Sequence, residues 1–260
     1  NIGFQSDSNE VDIIRRDDVD QLGLESQRRA KIAMDEGRFA KSLLPVHNED
    51  GTLALDHDEY PRPQTTLEGL SQLPAVFENF MSMPVDESGE TFDQLVKRAY
   101  PDTELKHVHH AGNSSGVVDG SGAVLLSSPD YAKGQGWKPR ARIVAMANAA
   151  GSPERMLNEP GPAARKVVKK AGMTLDDIDL FEINEAFAVV AFKFMRDLNL
   201  DPAKCNVNGG AIALGHPIGA TGSILIGTVL DELERQDKTT GLVTMCAAGG
   251  MAPAIIIERI

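Results

Sequence analysis

Apolar residues recur at helical spacing near the start of the chain. Between Arg16 and Glu36 they fall mostly three or four positions apart, and Gly37 follows as a stop signal. This pattern predicts an amphipathic helix. From residue 39 to residue 77, prolines and acidic residues interrupt short extended pieces, which is typical of a loop-rich layer with one further helical turn around Leu70.

We interpret residues 78–105 as an inserted surface loop, called the excursion below. From Phe92 onward its apolar residues are spaced as in a helix. After it the character of the chain changes. Residues 117–126 are a glycine-rich turn that leads into the apolar run Ala-Val-Leu-Leu at 123–126, and we expect this run to form a short buried strand.

Continuous apolar runs alternate with helical patterns in the second half of the chain. Because a strand, a helix and a second strand in succession favour a parallel crossover, the predicted fold class is α/β, built in layers. The predicted strands cover residues 142–147, 178–183, 241–246 and 254–259, and the predicted helices cover residues 163–170, 185–198 and 224–234.

Composition limits the kinds of ligand that the chain can bind. Hydrophobic residues make up 42% and charged residues 25% of the 260 residues, which is typical of a globular protein. The net charge of -12 argues against nucleic-acid binding, so any anionic ligand has to be held by local cations. No apolar run reaches the length of a membrane span and no signal segment is apparent, so we expect a protein of the cytoplasm or of an organelle matrix.

Metal and disulfide sites are not expected. The two cysteines, Cys205 and Cys246, stand in unlike contexts without metal-type spacing. Three histidines lie together at positions 107, 109 and 110, but alternation along an extended chain sends His109 and His110 to opposite faces, and no carboxylate or cysteine completes a site. Asn113 begins a triplet that formally fits N-glycosylation. We do not expect glycosylation there, since nothing else in the sequence indicates secretion.

Four segments set a polar or glycine-rich turn directly against a buried apolar element, which is how active sites are built. Within them, His216 is a candidate base, Asn184 could orient a water molecule or cap a helix, and Cys246 could do acid–base chemistry or be an inert buried thiol. Cys205, in a predicted loop, is taken as incidental. The segments are HHAGNSSG at 109–116, INEAF at 183–187, NGGAIALGHPIGATG at 208–222 and CAAGGM at 246–251.

Together and in this order, these segments resemble the signature blocks of the thiolase family. Further similar blocks are found at residues 15–20, 25–30, 36–39 and 58–63, and only residues 78–106 depart from the family pattern. The resemblance implies a layered α-β-α fold. It also implies three parts: residues 1–106 as a loop layer with a coenzyme A (CoA) binding region and an insertion, residues 107–136 as the last strand region of an N-terminal half, and residues 137–260 as a complete C-terminal half.

The resemblance also implies a role for each candidate residue. Asn184 would position a water molecule that forms an oxyanion hole together with His216, and His216 would activate a nucleophilic cysteine. Cys246 would move the α-proton, and the backbone N–H of Ala248 would belong to a second oxyanion hole. The implied CoA contacts are Ser115, Arg62, Leu73 and Phe187, with CoA as a substrate and no cofactor.

Three departures from the family pattern stand out. No segment resembles the loop of the nucleophilic cysteine, and neither Cys205 nor Cys246 fits that role, so the chain is expected to be the C-terminal two-thirds of a thiolase and inactive by itself. Ala248 stands where a glycine is usual. Gly69 stands where serine is frequent in the CoA-binding loop, which would weaken one polar contact.

The excursion at residues 78–106 is longer than in the short biosynthetic thiolases and resembles the long form of the degradative ones. This resemblance implies a 3-ketoacyl-CoA thiolase, that is, an acetyl-CoA C-acyltransferase of fatty-acid β-oxidation. Two alternatives stay open: a noncatalytic thiolase-like chain that binds CoA or a partner subunit, and an acetoacetyl-CoA thiolase. The expected partners are CoA and acyl-CoA substrates, further copies of the chain in a homo-oligomer, and a hydratase–dehydrogenase subunit.

Overall fold

The computed structural model describes residues 14–102 and 104–260, and residues 1–13 of the predicted loop layer lie outside this range. The longer helices are α1 (Arg16–Asp35), α4 (Phe92–Ala99), α6 (Pro160–Ala171), α7 (Ala188–Asp197) and α9 (Thr221–Arg235), and the shorter ones are α2 (Leu67–Ser71), α3 (Phe77–Met81), α5 (Pro129–Gly134) and α8 (Ala211–Leu214). The strands are β1 (Val46–His47), β2 (Leu53–Leu55), β3 (Ala141–Ala150), β4 (Leu180–Ile183), β5 (Thr240–Thr244) and β6 (Met251–Arg259).

The four long strands form one mixed sheet in the order β3-β6-β5-β4. Strand β6 is antiparallel to both of its neighbours, whereas β4 and β5 are parallel. Consequently β3, β4 and β5 all run in the same direction. The predicted crossover from β3 through α6 to β4 is therefore confirmed in direction, but the two strands are not adjacent, because β6 and β5 lie between them.

Helices cover both faces of this sheet. On one face, a large apolar cluster joins α1, α6 and α7 to inward side chains of the sheet such as Phe181 and Ile256. On the other face, Leu225, Val229 and Leu233 of α9 pack on Leu180 and its neighbours in β5 and β6. The layered α-β-α architecture is thus confirmed.

The amphipathic helix predicted near the start is confirmed as α1. Its buried positions, which include Val19, Gly23, Ala30 and Ala33, follow the spacing of three and four residues that the sequence showed. This buried stripe contacts α7 and α8. Helix α1 therefore links the loop layer to the elements that carry the candidate site.

The loop layer also follows the sequence pattern. Helix α2 occupies the predicted turn around Leu70 and begins where the hydroxyl of Thr66 accepts the backbone N–H of Gly69. Helix α4 begins at the predicted position with a capping box between Thr91 and Gln94. In the part of the chain that the structure describes, no helix is long and apolar enough to cross a bilayer.

The buried strand predicted within residues 117–126 is wrong. This segment has no regular secondary structure, Val117 is fully exposed and Leu125 is 78% exposed. An apolar run becomes a buried strand only beside a neighbouring strand, and none of the six described strands pairs with this segment. The proposed boundaries at residues 106 and 136 stay a prediction.

Candidate active site

Two adjacent parallel strands bring the first pair of candidate residues to one edge of the sheet. The last residues of β4 and β5, Ile183 and Thr244, are register partners. The next residue, Asn184, donates its backbone N–H to the carbonyl of Thr244 at 3.0 Å. Cys246 follows Thr244 by two residues. Asn184 and Cys246 therefore both leave the carboxyl edge of the sheet, where α/β folds commonly bind ligands.

The GNSSG turn and the glycine-rich loop interlock with this edge through backbone hydrogen bonds. Ser115 donates its N–H to the carbonyl of Ala186 at 3.0 Å, and Gly116 donates its own to Ala211 at 3.2 Å. The carbonyl of Gly116 in turn accepts the N–H of His216 at 2.9 Å. Three of the four predicted segments are thus held together as one unit.

The imidazole of His216 is held at both ring nitrogens. Nδ1 lies 2.6 Å from the hydroxyl of Thr221, and Nε2 lies 3.2 Å from Nδ2 of Asn184. The Thr221 hydroxyl donates to the carbonyl of Pro217 at 2.9 Å, so toward His216 it acts as an acceptor. The hydrogen therefore sits on Nδ1, and the lone pair sits on Nε2, where it accepts from Asn184.

Burial lowers the pKa of His216 below its ordinary value. The ring is thus neutral at physiological pH. With Nδ1–H given to Thr221, the basic atom is Nε2, on the side of Asn184. This arrangement makes His216 a proton acceptor at rest, and the imidazolium that forms when Nε2 takes up a proton is a donor for a developing oxyanion.

The side chain of Asn184 is fully buried, and its Oδ1 has no hydrogen-bond partner in the described part of the chain. A buried acceptor without a partner costs about 1–3 kcal/mol, so this atom favours a bound water molecule or a ligand donor. The alternative interpretation, helix capping, is wrong, because α7 begins at Ala188 and its N-cap residue is Phe187.

Both cysteines are buried thiols. Burial raises the pKa of Cys246 to about 11 and that of Cys205 to about 12. At neutral pH both therefore carry their proton. Cys205 lies away from the carboxyl edge of the sheet, and its Sγ is 3.5 Å from the carbonyl of Asp201. Cys246 lies at the carboxyl edge, just after β5.

The segment that follows Cys246 is a tight turn. Ala247 and Met251 exchange two backbone hydrogen bonds of 2.8 and 3.3 Å, and Gly249 and Gly250 have φ values of +80° and +77°, which favour glycine. At the tip, Ala248 is exposed, and its N–H has no partner among the described residues. The turn thus presents a free backbone donor beside Cys246.

A buried carboxylate that the sequence patterns did not single out supports this edge. Glu185 accepts hydrogen bonds from the hydroxyl of Ser26 at 2.6 Å, from Nδ2 of Asn206 at 2.9 Å and from the N–H of Ile212 at 3.3 Å. Burial raises its pKa. Glu185 thus ties α1 and the glycine-rich loop to the residue that follows Asn184. Thr221, the partner of His216, was also missed.

A pocket of about 390 Å³ opens beside this cluster. Two of the four predicted CoA contacts, Arg62 and Leu73, line it together with Tyr60 and Gly69. Arg62 is exposed, with its guanidinium 5.3 Å from the centre of the Tyr60 ring, and its backbone N–H donates to Oε1 of Gln27 at 2.7 Å. An exposed guanidinium at the rim of a pocket suits an anionic ligand.

Gly116 lies between the pocket and the candidate residues: its carbonyl accepts the N–H of His216, and it packs against Tyr60 of the pocket wall. A Cβ atom on this glycine would overlap the ring of Tyr60, so the absence of a side chain lets the pocket wall lie against the segment whose backbone holds His216. The other two predicted contacts do not line the pocket. Ser115 lies next to Gly116, and Phe187 is joined to the same segment by an isolated β-bridge.

The three neighbouring histidines have separate partners. His107 lies 3.1 Å from Asp93, and His109 lies 3.1 Å from Oδ1 of Asn113 with its ring 5.2 Å from that of Phe187. The side chain of Asn113 is fully buried, which agrees with discarding the glycosylation triplet. Within residues 14–102 and 104–260, no group of three metal-ligating side chains is found.

Comparison with known families agrees with this architecture. The model described as "Thiolase, N-terminal domain" matches residues 7–81, and "Thiolase, C-terminal domain" matches residues 137–259. The two matches together cover more than half of the chain, and both come from one family. The chain belongs to the thiolase family.

Similar individual proteins carry two kinds of name. The "Acetyl-CoA acetyltransferase" of Paracoccus denitrificans is 40% identical over 95% of this chain and 57% of its own length. The "3-ketoacyl-CoA thiolase" of Aeromonas hydrophila is 41% identical over 95% of this chain and 59% of its own. The crystal structure of human mitochondrial 3-ketoacyl-CoA thiolase in complex with CoA superposes with a TM-score of 0.79 at 38% identity, over 95% of this chain and 55% of that one. The chain thus spans little more than half the length of these relatives.

Proposed function

We propose that this chain supplies the enolate-stabilising and proton-transferring part of a 3-ketoacyl-CoA thiolase. The observation that carries the proposal is the pair formed by Asn184 and His216 at the same sheet edge as the thiol of Cys246. One relative named "3-ketoacyl-CoA thiolase" supports the reaction class. The role in fatty-acid β-oxidation belongs to the same proposal.

In the thiolytic direction, Nε2 of His216 takes the proton of a nucleophilic cysteine thiol, and the resulting thiolate attacks the 3-keto carbonyl carbon. The bond between C2 and C3 breaks, and its electrons pass into the enolate of acetyl-CoA, whose oxygen is stabilised by the protonated His216 and by a water molecule on Asn184. Cys246 then gives its proton to C2, which releases acetyl-CoA. The thiolate of Cys246 takes the proton of an incoming CoA thiol, and the CoA thiolate attacks the acyl-enzyme. The nucleophilic cysteine leaves as a thiolate and recovers its proton from His216, and the shortened acyl-CoA is released.

The pKa of Cys246 fits a residue that carries a proton between steps. A thiol whose pKa is about 11 holds its proton at neutral pH, so it can donate that proton to the enolate carbon after the bond between C2 and C3 has broken. In the condensing direction the same sulfur, as a thiolate, removes this proton. Cleavage and condensation follow one path in opposite directions, so the protonation of Cys246 supports its acid–base role and does not select a direction.

The pocket beside Gly116 supports CoA as the ligand. The chain has a net charge of -12 and as a whole repels an anion, so attraction has to come from a local cation, and Arg62 is one in the pocket lining. From this pocket, the segment with Ser115 and Phe187 leads to His216. A pantetheine arm along this segment would reach the catalytic cluster from the nucleotide pocket.

The proposal can be tested without a nucleophile by measuring deuterium uptake into the methyl group of acetyl-CoA in D₂O. This exchange needs only the enolate oxyanion hole and an acid–base group. The 260-residue chain should accelerate it, and Cys246→Ser and His216→Ala should each slow it by about 100-fold, whereas Cys205→Ser should leave it within twofold. Exchange that depends on Cys205 and not on Cys246 would refute the assignment.

Thiolysis itself needs a covalent thioester on a reactive cysteine. Because Cys205 and Cys246 are both buried and protonated at neutral pH, the 260-residue chain should release no acetyl-CoA from acetoacetyl-CoA or from longer 3-ketoacyl-CoA substrates. Turnover abolished by Cys205→Ser would assign the nucleophile to that residue. A comparison of substrates of different length on an active form of the enzyme would then separate 3-ketoacyl-CoA thiolase from acetoacetyl-CoA thiolase.

Self-association is part of the same proposal. The apolar side chains of Leu125, Leu126, Ile143 and Met146 are exposed on the described chain, and apolar patches of this kind commonly contact another protein surface. Light scattering of the 260-residue chain should therefore give a mass above 28.0 kDa. Binding to a hydratase–dehydrogenase subunit and the cellular compartment stay predictions.

A further inference from the structure

Three side chains converge on one buried carboxylate in the loop layer. Asp20, which is 3% exposed, accepts Nε–H of Arg16 at one oxygen, and it accepts Nε2–H of His110 and Nδ2–H of Asn113 at the other. All three distances are 2.7 Å. Because Nδ1 of His110 accepts the N–H of Gly112, the ring hydrogen is on Nε2 and faces Asp20.

Two of these partners, Arg16 and His110, also form hydrogen bonds with residues that line the CoA pocket. The guanidinium of Arg16 also donates to the carbonyls of Leu70 and Leu73, each at 2.8 Å. On the opposite side, His110 holds Gly112 at 3.1 Å. Leu70, Leu73 and Gly112 all line the pocket, whereas Asp20 itself does not reach it. A single carboxylate thus connects the α2 wall of the pocket to the wall formed by the turn at residues 111–113.

The packing between these walls leaves no space for adjustment. A Cβ atom on Gly112 would overlap the side chain of Leu70, and a Cβ atom on Gly23 of α1 would lie 2.5 Å from the carbonyl oxygen of Gly112. Helix α1, the turn and α2 are therefore in direct contact. A change in the hydrogen bonds at Asp20 has to move at least one pocket wall, because a close-packed interior transmits such shifts.

We propose that Asp20 is a positioning residue that sets the shape of the CoA pocket through Arg16 and His110. This inference rests on the proposed function, since it takes CoA as the ligand of the pocket. The carboxylate makes no contact with the ligand. It acts by keeping the carbonyls of Leu70 and Leu73 and the backbone of Gly112 in the positions that the ligand requires.

The test compares Asp20→Asn with Asp17→Asn in the 260-residue chain, by calorimetric titration with CoA. Donors approach both oxygens of Asp20, so an amide in either orientation sets a donor against a donor. Asp20→Asn should raise the Kd of CoA about tenfold. Asp17 lies three residues earlier in α1 but is exposed, and Asp17→Asn should leave the Kd within about twofold.

Hydrogen exchange distinguishes positioning from a general loss of stability. In Asp20→Asn, amide exchange should accelerate at residues 70–73 and 111–113, while β4, β5 and β6 keep their protection. Equal acceleration throughout the chain would show a merely structural role and would overturn the proposal. Unchanged CoA affinity together with unchanged exchange at the two walls would overturn it as well.

A second variant covers the case in which Asp20→Asn does not fold. Arg16→Lys keeps the positive charge beside Asp20 but lacks the second nitrogen that lets arginine bond Asp20 through Nε and the carbonyls of Leu70 and Leu73 through Nη2, so it should raise the Kd of CoA about threefold to fivefold. If Arg16→Lys binds CoA as tightly as the unchanged chain, the proposal is wrong. Failure of the unchanged chain to bind CoA would instead refute the proposed function of the pocket, and faster exchange at the two walls would still report on Asp20.

Discussion

Nδ2 of Asn184 lies 3.2 Å from Nε2 of His216, although the two residues are 32 positions apart. Each is fixed through its own backbone: Asn184 donates its N–H to Thr244, and His216 donates its N–H to Gly116. Neither side chain therefore depends on a flexible loop for its position. The pair is set by hydrogen bonds between strand β5, the end of β4 and the GNSSG turn, so changes in any of these should disturb it.

Thr221→Val should disturb the tautomer of His216 without removing the ring. The valine keeps the shape of a buried side chain but cannot accept Nδ1–H, so the hydrogen becomes free to move to Nε2. We expect altered ¹⁵N chemical shifts for the His216 ring and about tenfold slower deuterium uptake by acetyl-CoA. Thr228→Val, two turns further along α9, should change neither measurement. An unaltered His216 spectrum in Thr221→Val would contradict the tautomer assignment.

The two thiols should be slow toward alkylating reagents. Because burial raises the pKa of Cys246 to about 11 and that of Cys205 to about 12, their thiolate fractions at pH 8 are small. Iodoacetamide should modify the folded chain at least about 100 times more slowly than the chain in urea. Single Cys→Ser variants would identify which thiol reacts. Rapid labelling of Cys246 at pH 8 would remove the argument for a resting proton donor.

Gly249 and Gly250 offer a matched pair for the turn after Cys246. Both have positive φ, so alanine is strained at either position and should cost about 1 kcal/mol of unfolding free energy. A Cβ atom at Gly249 would come no closer than 4.0 Å to another atom, the side chain of Met251, whereas at Gly250 it would lie 2.8 Å from the carbonyl oxygen of Ser152. Gly250→Ala should therefore cost about 3 kcal/mol or more in denaturant titrations. Equal costs for the two variants would show that the contact with Ser152 is not rigid.

The stability of the chain should fall in acid partly because of His109. Burial lowers the pKa of His109 from 6.5 to about 4, so below pH 6.5 the unfolded chain binds a proton that the folded chain does not bind. The folded state should lose about 2–3 kcal/mol from this residue as the pH falls from 6.5 to 4, and nothing above pH 6.5. The measurement is the free energy of unfolding as a function of pH.

The control for this effect compares slopes and not absolute stabilities. His109→Phe keeps a ring against Phe187 but cannot titrate, so the dependence on pH between 6.5 and 4 should become shallower. His47→Gln, at an exposed position in β1, should leave the slope unchanged. A slope that is the same in His109→Phe as in the unchanged chain would show that His109 is protonated in the folded state.

The local sequence pattern was sufficient to predict helix α1 and the strands of the mixed sheet, and to identify the candidate reactive residues. Helix α1 and the strands of the mixed sheet are determined by the spacing of apolar residues, because the period of a helix or a strand is a property of the backbone itself. His216, Asn184 and Cys246 stood out because glycine-rich turns against buried runs are visible in the sequence. The segments INEAF and GHPIG were similarly sufficient to indicate the family.

Tertiary structure decided what depends on a distant partner. The apolar run at residues 123–126 has the composition of a buried strand, but no described strand pairs with it, and only a neighbouring strand could make it one. Asn184 could have capped a helix until the start of α7 at Ala188 showed otherwise. The roles of Thr221 and Asp20 could not be predicted, since a threonine in a helix or an acidic residue among others acquires a function only when folding brings its hydrogen-bond partners within reach.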